Sequence, residues 1–418
     1  MIRAVGLDTV LLAGGGTGGH LFPGVAVAEA VARMAPGSRG LLAITERDTT
    51  SAHGAACPLE KIRVDSPRRP AGAAGVPIFG ARMARAVTRS LMLLRDERVS
   101  VVVGLGGYGS VAPVLAARVA GIPSLLLEQN AVPGKATRFL SRFAALTAAS
   151  FPSTERRGLR GRVVYTGNPL RAGVLATRAA HAELGLDTDL PVLAVLGGSL
   201  GAEGLNRGLA AALPALAASM VPASEPGQRP PPPSFQVIHG TGSEQGTSEM
   251  LQLYRRLGIR ACVRPFFSDM AVVYGTADAV LCRAGGTTVA ELAAVGLPAV
   301  FVPYPHHADG HQRENARELL EHGAAVLLEE SEMTPAKVLA AVQPLLRDVS
   351  SRRRKARAAR RVGRPDAAAS VARLVLELSR GAFPDAVRSI DALDRSGSSK
   401  KQVRRHGERI GTAKKWAQ

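Results

Sequence analysis

Short apolar runs alternate with longer stretches rich in Ala and Leu along most of the chain. The apolar runs occupy residues 10–13, 101–104, 124–127, 192–196, 236–239, 279–282 and 299–302. Apart from Ser124, Gln236 and His239 at the ends of two runs, they are apolar or small throughout and do not alternate with polar residues, as is typical of strands buried on both faces of a sheet. Because helical stretches separate them, the pattern predicts an α/β protein built on parallel sheets that helices cover on both sides.

The alternation of strands and helices occurs twice, and this predicts two Rossmann-like domains with a cleft between them. The first is predicted over residues 1–166 and the second over 167–364, with the turn Gly167-Asn168-Pro169 reversing the chain between them. Residues 222–234, which include four consecutive prolines, are predicted to form a surface loop within the second domain. Residues 381–418 carry nine Lys and Arg against four acids, and we expect a disordered basic tail there.

Glycine-rich loops follow several of the predicted strands. The first runs from Gly14 to His20, and others occupy residues 104–110, 197–201 and 283–288. Glycine lets the backbone approach a ligand closely, and the N-terminus of the following helix attracts anions. The first loop satisfies GxGxxG only formally, since Glu46 comes too late for the acid of a dinucleotide site, and His20 stands where a Walker A loop needs Lys. One such loop could serve packing alone; several in both halves indicate a cleft that handles phosphates or sugars.

Composition narrows the class of protein. The chain has 418 residues, 46% of them hydrophobic, and three cysteines without a CxxC pair, which suits a reducing cytosol. The sequence has no apolar run of the roughly 18 residues that a membrane span needs, and the N-terminus does not resemble a signal peptide. The formal net charge of +19 favours phosphate-bearing partners. Aromatic residues make up only 4%, and no RNA- or DNA-binding motif occurs, so a nucleic-acid-binding protein is a distant alternative.

The motifs in combination resemble the MurG family of glycosyltransferases over about residues 8–378. The matching segments are Gly15 to His20 with Phe22-Pro23-Gly24, Gly106-Gly107-Tyr108, Glu128-Gln129-Asn130, Gly167 to Arg171, Gly197-Gly198-Ser199, Phe266 with Asp269-Met270, Arg283 to Pro298, and His311-Gln312 with Asn315-Ala316. The resemblance implies a GT-B fold, in which the N-terminal domain binds the acceptor and the C-terminal domain binds the UDP-sugar. It also implies that a last helix, here residues 365–380, returns to the N-terminal domain.

The resemblance implies inverting transfer of N-acetylglucosamine from UDP to the 4-hydroxyl of a lipid-linked muramyl acceptor, without a cofactor or a metal. Its candidate base is His20, which titrates near neutrality; a residue that only positions phosphate is the alternative. The donor-site residues implied are Thr17, Gly18, Gly19, Arg171, Ser199, Phe267, Ala284, Gly285, Gly286, Thr287, Thr288, Glu291, His311 and Gln312. The acceptor-site residues implied are Gly106, Gly107, Tyr108, Glu128 and Asn130, and the first two glycine loops are expected to meet the acceptor pyrophosphate.

Two positions depart from the family pattern. Leu200 stands where Gln is usual, and Leu127 stands where His is often found, so both departures are expected to remove polar groups near the cleft. Asp187-Thr188-Asp189 fits the DxD pattern of metal-dependent transferases, but turn chemistry explains it more simply. His306, His307 and His311 are interpreted as loop residues beside the sugar site, with a metal cluster as the alternative. Another GT-B transferase with a different lipid acceptor is the nearest alternative function.

A helix predicted over residues 76–95 bears on membrane attachment. It carries six apolar residues interleaved with four arginines: Ile78, Phe79, Met83, Val87, Leu91 and Leu94, with Arg82, Arg85, Arg89 and Arg95. It is either an amphipathic helix that docks on an anionic membrane surface or an ordinary helix that packs its apolar face on the sheet. The sequence leaves both interpretations open. With a lipid-borne acceptor, we expect the protein to sit peripherally on the cytoplasmic face of the cell membrane.

Overall fold

A computed structural model describes residues 9–14, 18–45, 59–67, 72, 75–198, 203–223, 231–305 and 310–381. Its first sheet is entirely parallel, with the strand order β3-β2-β1-β4-β5-β6-β7. The strands are β1 Thr9–Ala13, β2 Arg39–Ile44, β3 Glu60–Arg63, β4 Val99–Gly104, β5 Ser124–Glu128, β6 Leu146–Ala149 and β7 Val163–Tyr165. The order runs outward in both directions from β1 and β4, which makes this pair a topological switch point.

The second sheet repeats this plan with the order β10-β9-β8-β11-β12-β13, again all parallel. Its strands are β8 Val192–Leu196, β9 Gln236–Gly240, β10 Arg260–Arg264, β11 Ala279–Cys282, β12 Ala299–Phe301 and β13 Ala325–Leu327. The switch point lies between β8 and β11. Two doubly wound parallel sheets in one chain are the GT-B arrangement that the sequence predicts.

Helices connect the strands and cover both faces of each sheet. In the first half they are α1 Gly18–Met34, α2 Val76–Asp96, α3 Val111–Ala120 and α4 Lys135–Leu140. In the second half they are α5 Ala172–Leu175, α6 Glu203–Ser219, α7 Glu244–Arg256, α8 Met270–Thr276, α9 Gly286–Val295, α10 His311–Glu321, α11 Pro335–Arg347, α12 Val349–Val362 and α13 Ala367–Ser379.

The continuous apolar strands are explained by the two cores that each central strand serves. In β1, Val10 and Leu12 point into one hydrophobic cluster, while Leu11 and Ala13 point into another on the opposite face. In β8, Val192 and Leu193 are divided in the same way between two clusters. Successive side chains of a strand point to opposite faces, so a sheet covered on both sides needs apolar residues at every position.

The last described helix, α13, lies against α1 of the first half. Val371, Leu374 and Val375 are fully buried in the same cluster as Val27 and Val31 of α1. The C-terminal segment therefore completes a core whose other members come from the beginning of the chain. Beyond residue 381 the predicted basic tail lies outside the described residues, as do residues 224–230 of the proline-rich segment.

The predicted amphipathic helix forms as α2, and its apolar residues divide into two groups. Met83, Val87 and Leu91 pack partly buried against the sheet core, and Leu94 is 1% exposed. For these residues the packing interpretation is correct. Exposed apolar side chains remain at both ends of α2: Ile78 in the first turn and Met92 near the C-terminal end are each 59% exposed. Among the described residues, no helix is long and apolar enough to cross a membrane.

Candidate active site

Each of the four glycine loops follows a strand at a switch point. The first two follow β1 and β4, and the other two follow β8 and β11. In open parallel sheets, ligands bind beyond the carboxyl ends of the strands at this position. A Cβ atom placed on Gly14, whose φ is +115°, would overlap the carbonyl oxygen of Gly106, so the first two loops pack directly on each other. Thr17, Ser199 and Leu200 lie outside the described residues.

His20 lies in the first turn of α1, against the second glycine loop. A Cβ atom on Gly106, whose φ is +92°, would lie 3.0 Å from Cδ2 of the His20 ring, so glycine lets the loop approach the imidazole closely. Burial lowers the pKa of His20 below its ordinary value of 6.5, and the nearby charge of His311 lowers it further. The imidazole is therefore neutral at pH 7 and can accept a proton.

The two halves touch where α1 and α9 begin. The Thr287 hydroxyl, in α9, donates a hydrogen bond to the carbonyl oxygen of Gly19 over 3.1 Å. Asn168 lies at the chain reversal, where its side-chain amide donates to Thr287 Oγ1 over 3.4 Å. A Cβ atom on Gly286 would overlap the carbonyl oxygen of Gln129. The structure thus brings Gly19 and His20 of the first half opposite Gly286 and Thr287 of the second.

The start of α9 has the properties of an anion site. Gly285 is its N-cap residue and provides no side chain to occupy the free N–H groups of the first turn. Ala284 is fully buried before it, and Thr288 lies within the first turn. Arg171 adds positive charge, and its guanidinium carbon lies 4.0 Å from the ring centroid of Phe22 in α1.

Glu291 lies deeper in α9 than an exposed first-turn acid would. It is 8% exposed, and its Oε2 accepts a hydrogen bond of 2.8 Å from the Tyr274 hydroxyl. Burial raises the pKa of Glu291 to about 7, although the hydrogen bond from Tyr274 and the charge of Arg171 oppose this shift. The alternative interpretation of Glu291, an exposed first-turn acid favoured by the helix dipole, is therefore wrong. Contact between Glu291 and a ribose stays a prediction.

The remaining predicted donor residues occupy two further segments of the second half. Gln312 is in the first turn of α10, which begins at His311, and its Oε1 accepts from the Tyr304 amide over 2.9 Å. Phe267 is 6% exposed, and Arg264 approaches its ring with 5.4 Å between the guanidinium carbon and the ring centroid. The ring of Phe267 belongs to the core, so any contact with a base would come from its backbone.

On the acceptor side, the predicted residues differ in what they expose. Glu128 is buried, and its two oxygens accept from the amides of Asn130 and Gly134, each over 3.0 Å. Burial raises the pKa of Glu128, while these hydrogen bonds lower it. Glu128 therefore holds its own loop in shape. Tyr108, which follows Gly107, is 44% exposed and is the predicted acceptor residue most open to a ligand.

Sequence reasoning assigned no role to Asn315 or Tyr274, which hold site residues in place. Asn315 is fully buried in α10 and bonds to both halves: its Oδ1 accepts from the Ala131 amide over 2.8 Å, and its Nδ2 donates to Asn130 Oδ1 and the Ala284 carbonyl, each over 3.1 Å. A buried amide side chain in a helix needs several hydrogen-bond partners. The sequence signal for Asn315 was its place in the segment His311-Gln312 with Asn315-Ala316 that resembles the family.

Leu127 does not line the cleft: it is 1% exposed and packs in the core of the first half, so the expected loss of a polar group there is wrong. Asp187 Oδ1 accepts from the Asp189 amide over 3.0 Å, which is the turn chemistry that the sequence favoured. Within the described ranges, which exclude His306 and His307, no cluster of His, Cys, Asp and Glu could hold a metal ion.

Known proteins share this fold and its two-domain order. The glycosyltransferase family 28 N-terminal domain matches residues 10–149, and the family 28 C-terminal domain matches residues 192–371. A UDP-N-acetylglucosamine–N-acetylmuramyl-(pentapeptide) pyrophosphoryl-undecaprenol N-acetylglucosamine transferase from Anaeromyxobacter sp. (strain Fw109-5) is 37% identical, covering 89% of this chain and 93% of the relative. The transferase of the same description from Alkalilimnicola ehrlichii is 38% identical, covering 89% and 99%.

Solved structures extend the comparison. The crystal structure of Acinetobacter baumannii MurG has a TM-score of 0.68 and 30% sequence identity, covering 88% of this chain and 99% of that one. A putative UDP-N-acetylglucosamine 2-epimerase from Listeria monocytogenes has a TM-score of 0.62 at 13% identity, over 89% and 96%, and shares the fold alone. Both domains, the relatives and the solved structure agree, and the chain belongs to the MurG family of glycosyltransferases.

Proposed function

We propose that the protein transfers N-acetylglucosamine from UDP-N-acetylglucosamine to the 4-hydroxyl of the muramyl sugar of undecaprenyl-pyrophosphoryl-N-acetylmuramyl-pentapeptide, in peptidoglycan synthesis. The observation that carries the proposal is the opposition of a neutral His20 and the free N-terminus of α9 across the cleft. An inverting transfer needs these two elements: a base for the attacking hydroxyl and positive potential for the departing diphosphate.

In this mechanism the acceptor 4-hydroxyl attacks the anomeric carbon of the donor sugar. His20 accepts the hydroxyl proton as the new glycosidic bond forms, and the bond from the anomeric carbon to the UDP oxygen breaks. The amide groups at Gly286 and Thr287, together with the guanidinium of Arg171, stabilise the charge that develops on UDP. Glu291 holds the ribose, and Gln312 with His311 contacts the sugar hydroxyls. On the other side of the cleft, Tyr108 and Asn130 position the acceptor.

The same proposal places the protein peripherally on the cytoplasmic face of the membrane, where a lipid-borne acceptor presents its pyrophosphate. The first turns of α2 support this location, since Val76 and Ile78 are 55% and 59% exposed. Arg82 and Arg85 are exposed on the next turn of the helix. Apolar side chains beside arginines suit the interface of an anionic bilayer, where the rings and chains insert and the cations meet the headgroups.

The test is a UDP-release assay with a soluble lipid-linked muramyl acceptor analogue. We expect UDP release to depend on this acceptor. We also expect it to be faster with UDP-N-acetylglucosamine as the donor than with UDP-glucose or UDP-galactose. Matched assays with lipid-linked acceptors that lack the muramyl sugar serve as controls. Faster release with one of those acceptors would assign the protein a different lipid substrate within the same fold.

A further inference from the structure

Tyr274 and Glu291 form a buried pair beside the donor site. Tyr274 is in α8 and is 5% exposed, and its hydroxyl donates to Glu291 Oε2 over 2.8 Å. Burial and the neighbouring carboxylate raise the pKa of Tyr274 well above 10, so the phenol keeps its proton and acts as the donor. A carboxylate held at one oxygen by a fixed donor has one orientation in place of several.

The other carboxylate oxygen of Glu291 is left available. Oε1 makes no hydrogen bond with a described residue, and 8% of the surface of Glu291 stays exposed. The carboxylate lies in the helix whose N-terminus meets the diphosphate in the proposed mechanism. A ribose hydroxyl could therefore donate to Oε1 while Tyr274 occupies Oε2.

Among the described residues, three titratable or charged groups surround this carboxylate: Tyr274 from α8, Cys282 at the end of β11, and Arg171 from the segment before α5. Burial raises the pKa of the Cys282 thiol, so Cys282 stays uncharged near neutrality. Arg171 and the Tyr274 hydroxyl favour the ionised carboxylate, and burial opposes them. The Tyr274 hydrogen bond thus aims the carboxylate and also favours the form that accepts a ribose hydroxyl most strongly.

We propose that Tyr274 is the positioning residue that orients Glu291 toward the ribose of the donor nucleotide, and so gives the site its preference for ribose over deoxyribose. This inference rests on the proposed function, because it takes a uridine nucleotide as the ligand. Tyr274 acts through Glu291 and does not itself touch the nucleotide.

The experiment measures binding of UDP and 2′-deoxy-UDP by calorimetry between pH 5.5 and 9, in the wild type and in Tyr274→Phe. We expect Tyr274→Phe to weaken UDP binding about five- to tenfold, the usual effect of one lost hydrogen bond, while 2′-deoxy-UDP binding changes little. In the wild type the hydrogen bond from Tyr274 lowers the pKa of Glu291. Its loss should therefore raise that pKa and move the pH midpoint of UDP binding to higher pH. Tyr254→Phe is the matched control: it removes a buried hydroxyl elsewhere in the same half and should leave both readouts unchanged.

A second comparison keeps the proposal testable if Tyr274→Phe alone does not fold. Glu291→Gln removes the buried charge, and adding Tyr274→Phe to it should not alter the remaining ratio of UDP to 2′-deoxy-UDP affinity. A further change in that ratio on the Gln background would overturn the proposal. The proposal would also be overturned if Tyr274→Phe keeps the wild-type ratio of UDP to 2′-deoxy-UDP affinity and the wild-type pH midpoint, while Glu291→Ala loses both. In contrast, a wild type that binds UDP no better than it binds ADP would overturn the proposed function itself.

Discussion

Asn315 Nδ2 donates a hydrogen bond to Asn130 Oδ1 over 3.1 Å, and this contact joins residues 185 positions apart on the two sides of the cleft. Asn315 also bonds to Ala131 and Ala284, so one buried side chain ties the acceptor-side loop to the loop before α9. This amide group therefore adds to the contacts of Thr287 and Gly286 that fix the relative position of the two half-sites.

Replacement of Asn315 by Ala should lower both activity and stability. It leaves the buried Ala131 amide without its acceptor, at a cost of about 1–3 kcal/mol in the free energy of unfolding. We expect an increase in the KM for the acceptor as well, since Asn130 loses its support. Denaturant unfolding and steady-state kinetics measure the two effects. Ser248→Ala, which removes an exposed hydroxyl within α7, is the control for stability, and an Asn315→Ala enzyme with unchanged KM would separate Asn315 from the site.

Replacement of Gly286 by Ala should keep the two halves apart. The added methyl group would overlap the carbonyl oxygen of Gln129, so the α9 N-terminus could not approach the first half as it does now. The matched control is Gly285→Ala next to it, where the nearest atom to a new Cβ is Thr288 Oγ1 at 3.9 Å. We expect kcat/KM to fall at least about a hundredfold in Gly286→Ala and far less in Gly285→Ala, given that small displacements cost about this much. Equal rates in the two variants would contradict the close approach.

Activity should fall at acidic pH with the protonation of His20. Its pKa is lowered from 6.5, so the base is fully available at pH 7 and is lost only as the pH drops through that lower value. His20→Ala should reduce kcat by about a hundred- to ten-thousand-fold and abolish this acidic limb, with UDP affinity retained. An acidic limb that persists in His20→Ala would assign the titration to another group, and His20 would then only position phosphate.

Activity should survive EDTA. In the proposed mechanism the free amides of α9 and the guanidinium of Arg171 supply the positive potential that a divalent ion provides in DxD enzymes. Rates with and without the chelator should agree within error, and added magnesium or manganese should not raise them. A complete loss that manganese restores would place Asp187 and Asp189 at the centre of the mechanism, despite their turn geometry.

Membrane attachment should depend on the first turns of α2. Ile78→Ser with Phe79→Ser should lower binding to anionic vesicles even at high salt, because burial of apolar surface is insensitive to screening. Deletion of residues 381–418 should weaken binding mainly at low salt, since each basic residue near the surface adds about 1 kcal/mol that salt screens. Val349→Ser, on an exposed residue of α12 in the other half, is the control in the co-sedimentation assay. Wild-type binding by the Ile78/Phe79 variant at high salt would exclude the first turns of α2 as the anchor.

The four strands at the two switch points could be predicted from the sequence, because strands buried on both faces are apolar along their length. Strands β8 and β11 were predicted with their observed bounds, since every position in them is apolar or small. The edge strands β3 and β10 were not, because Glu60, Lys61 and Arg260 face solvent and erase the apolar run. The GT-B fold and the family were predicted correctly from the order of the motifs.

The site was predictable as a set of loops but not as a set of contacts. The spacing of the motif identified Glu291 as a site residue but did not predict that it is buried. Which face of a helix is buried depends on what packs against it, and here Tyr274 from another helix does so. Leu127 was placed at the cleft from its neighbours in the motif, but its side chain points into the core while Glu128 turns to the loop. A strand reverses its side chains at every residue, and a sequence does not state which of the two faces is open.

The return of α13 to α1 means that synthesis and folding proceed in different orders. Val27 and Val31 are made early, but their partners Val371 and Val375 leave the ribosome only after the whole second half has been made. Until then the apolar face of α1 that packs on α13 has no partner, and the core of the first half is incomplete. A nonsense mutation that removes α13 would therefore leave the core around α1 incomplete, although α1 itself is intact. We expect chaperones that bind exposed apolar surface to act on the first half of such a protein.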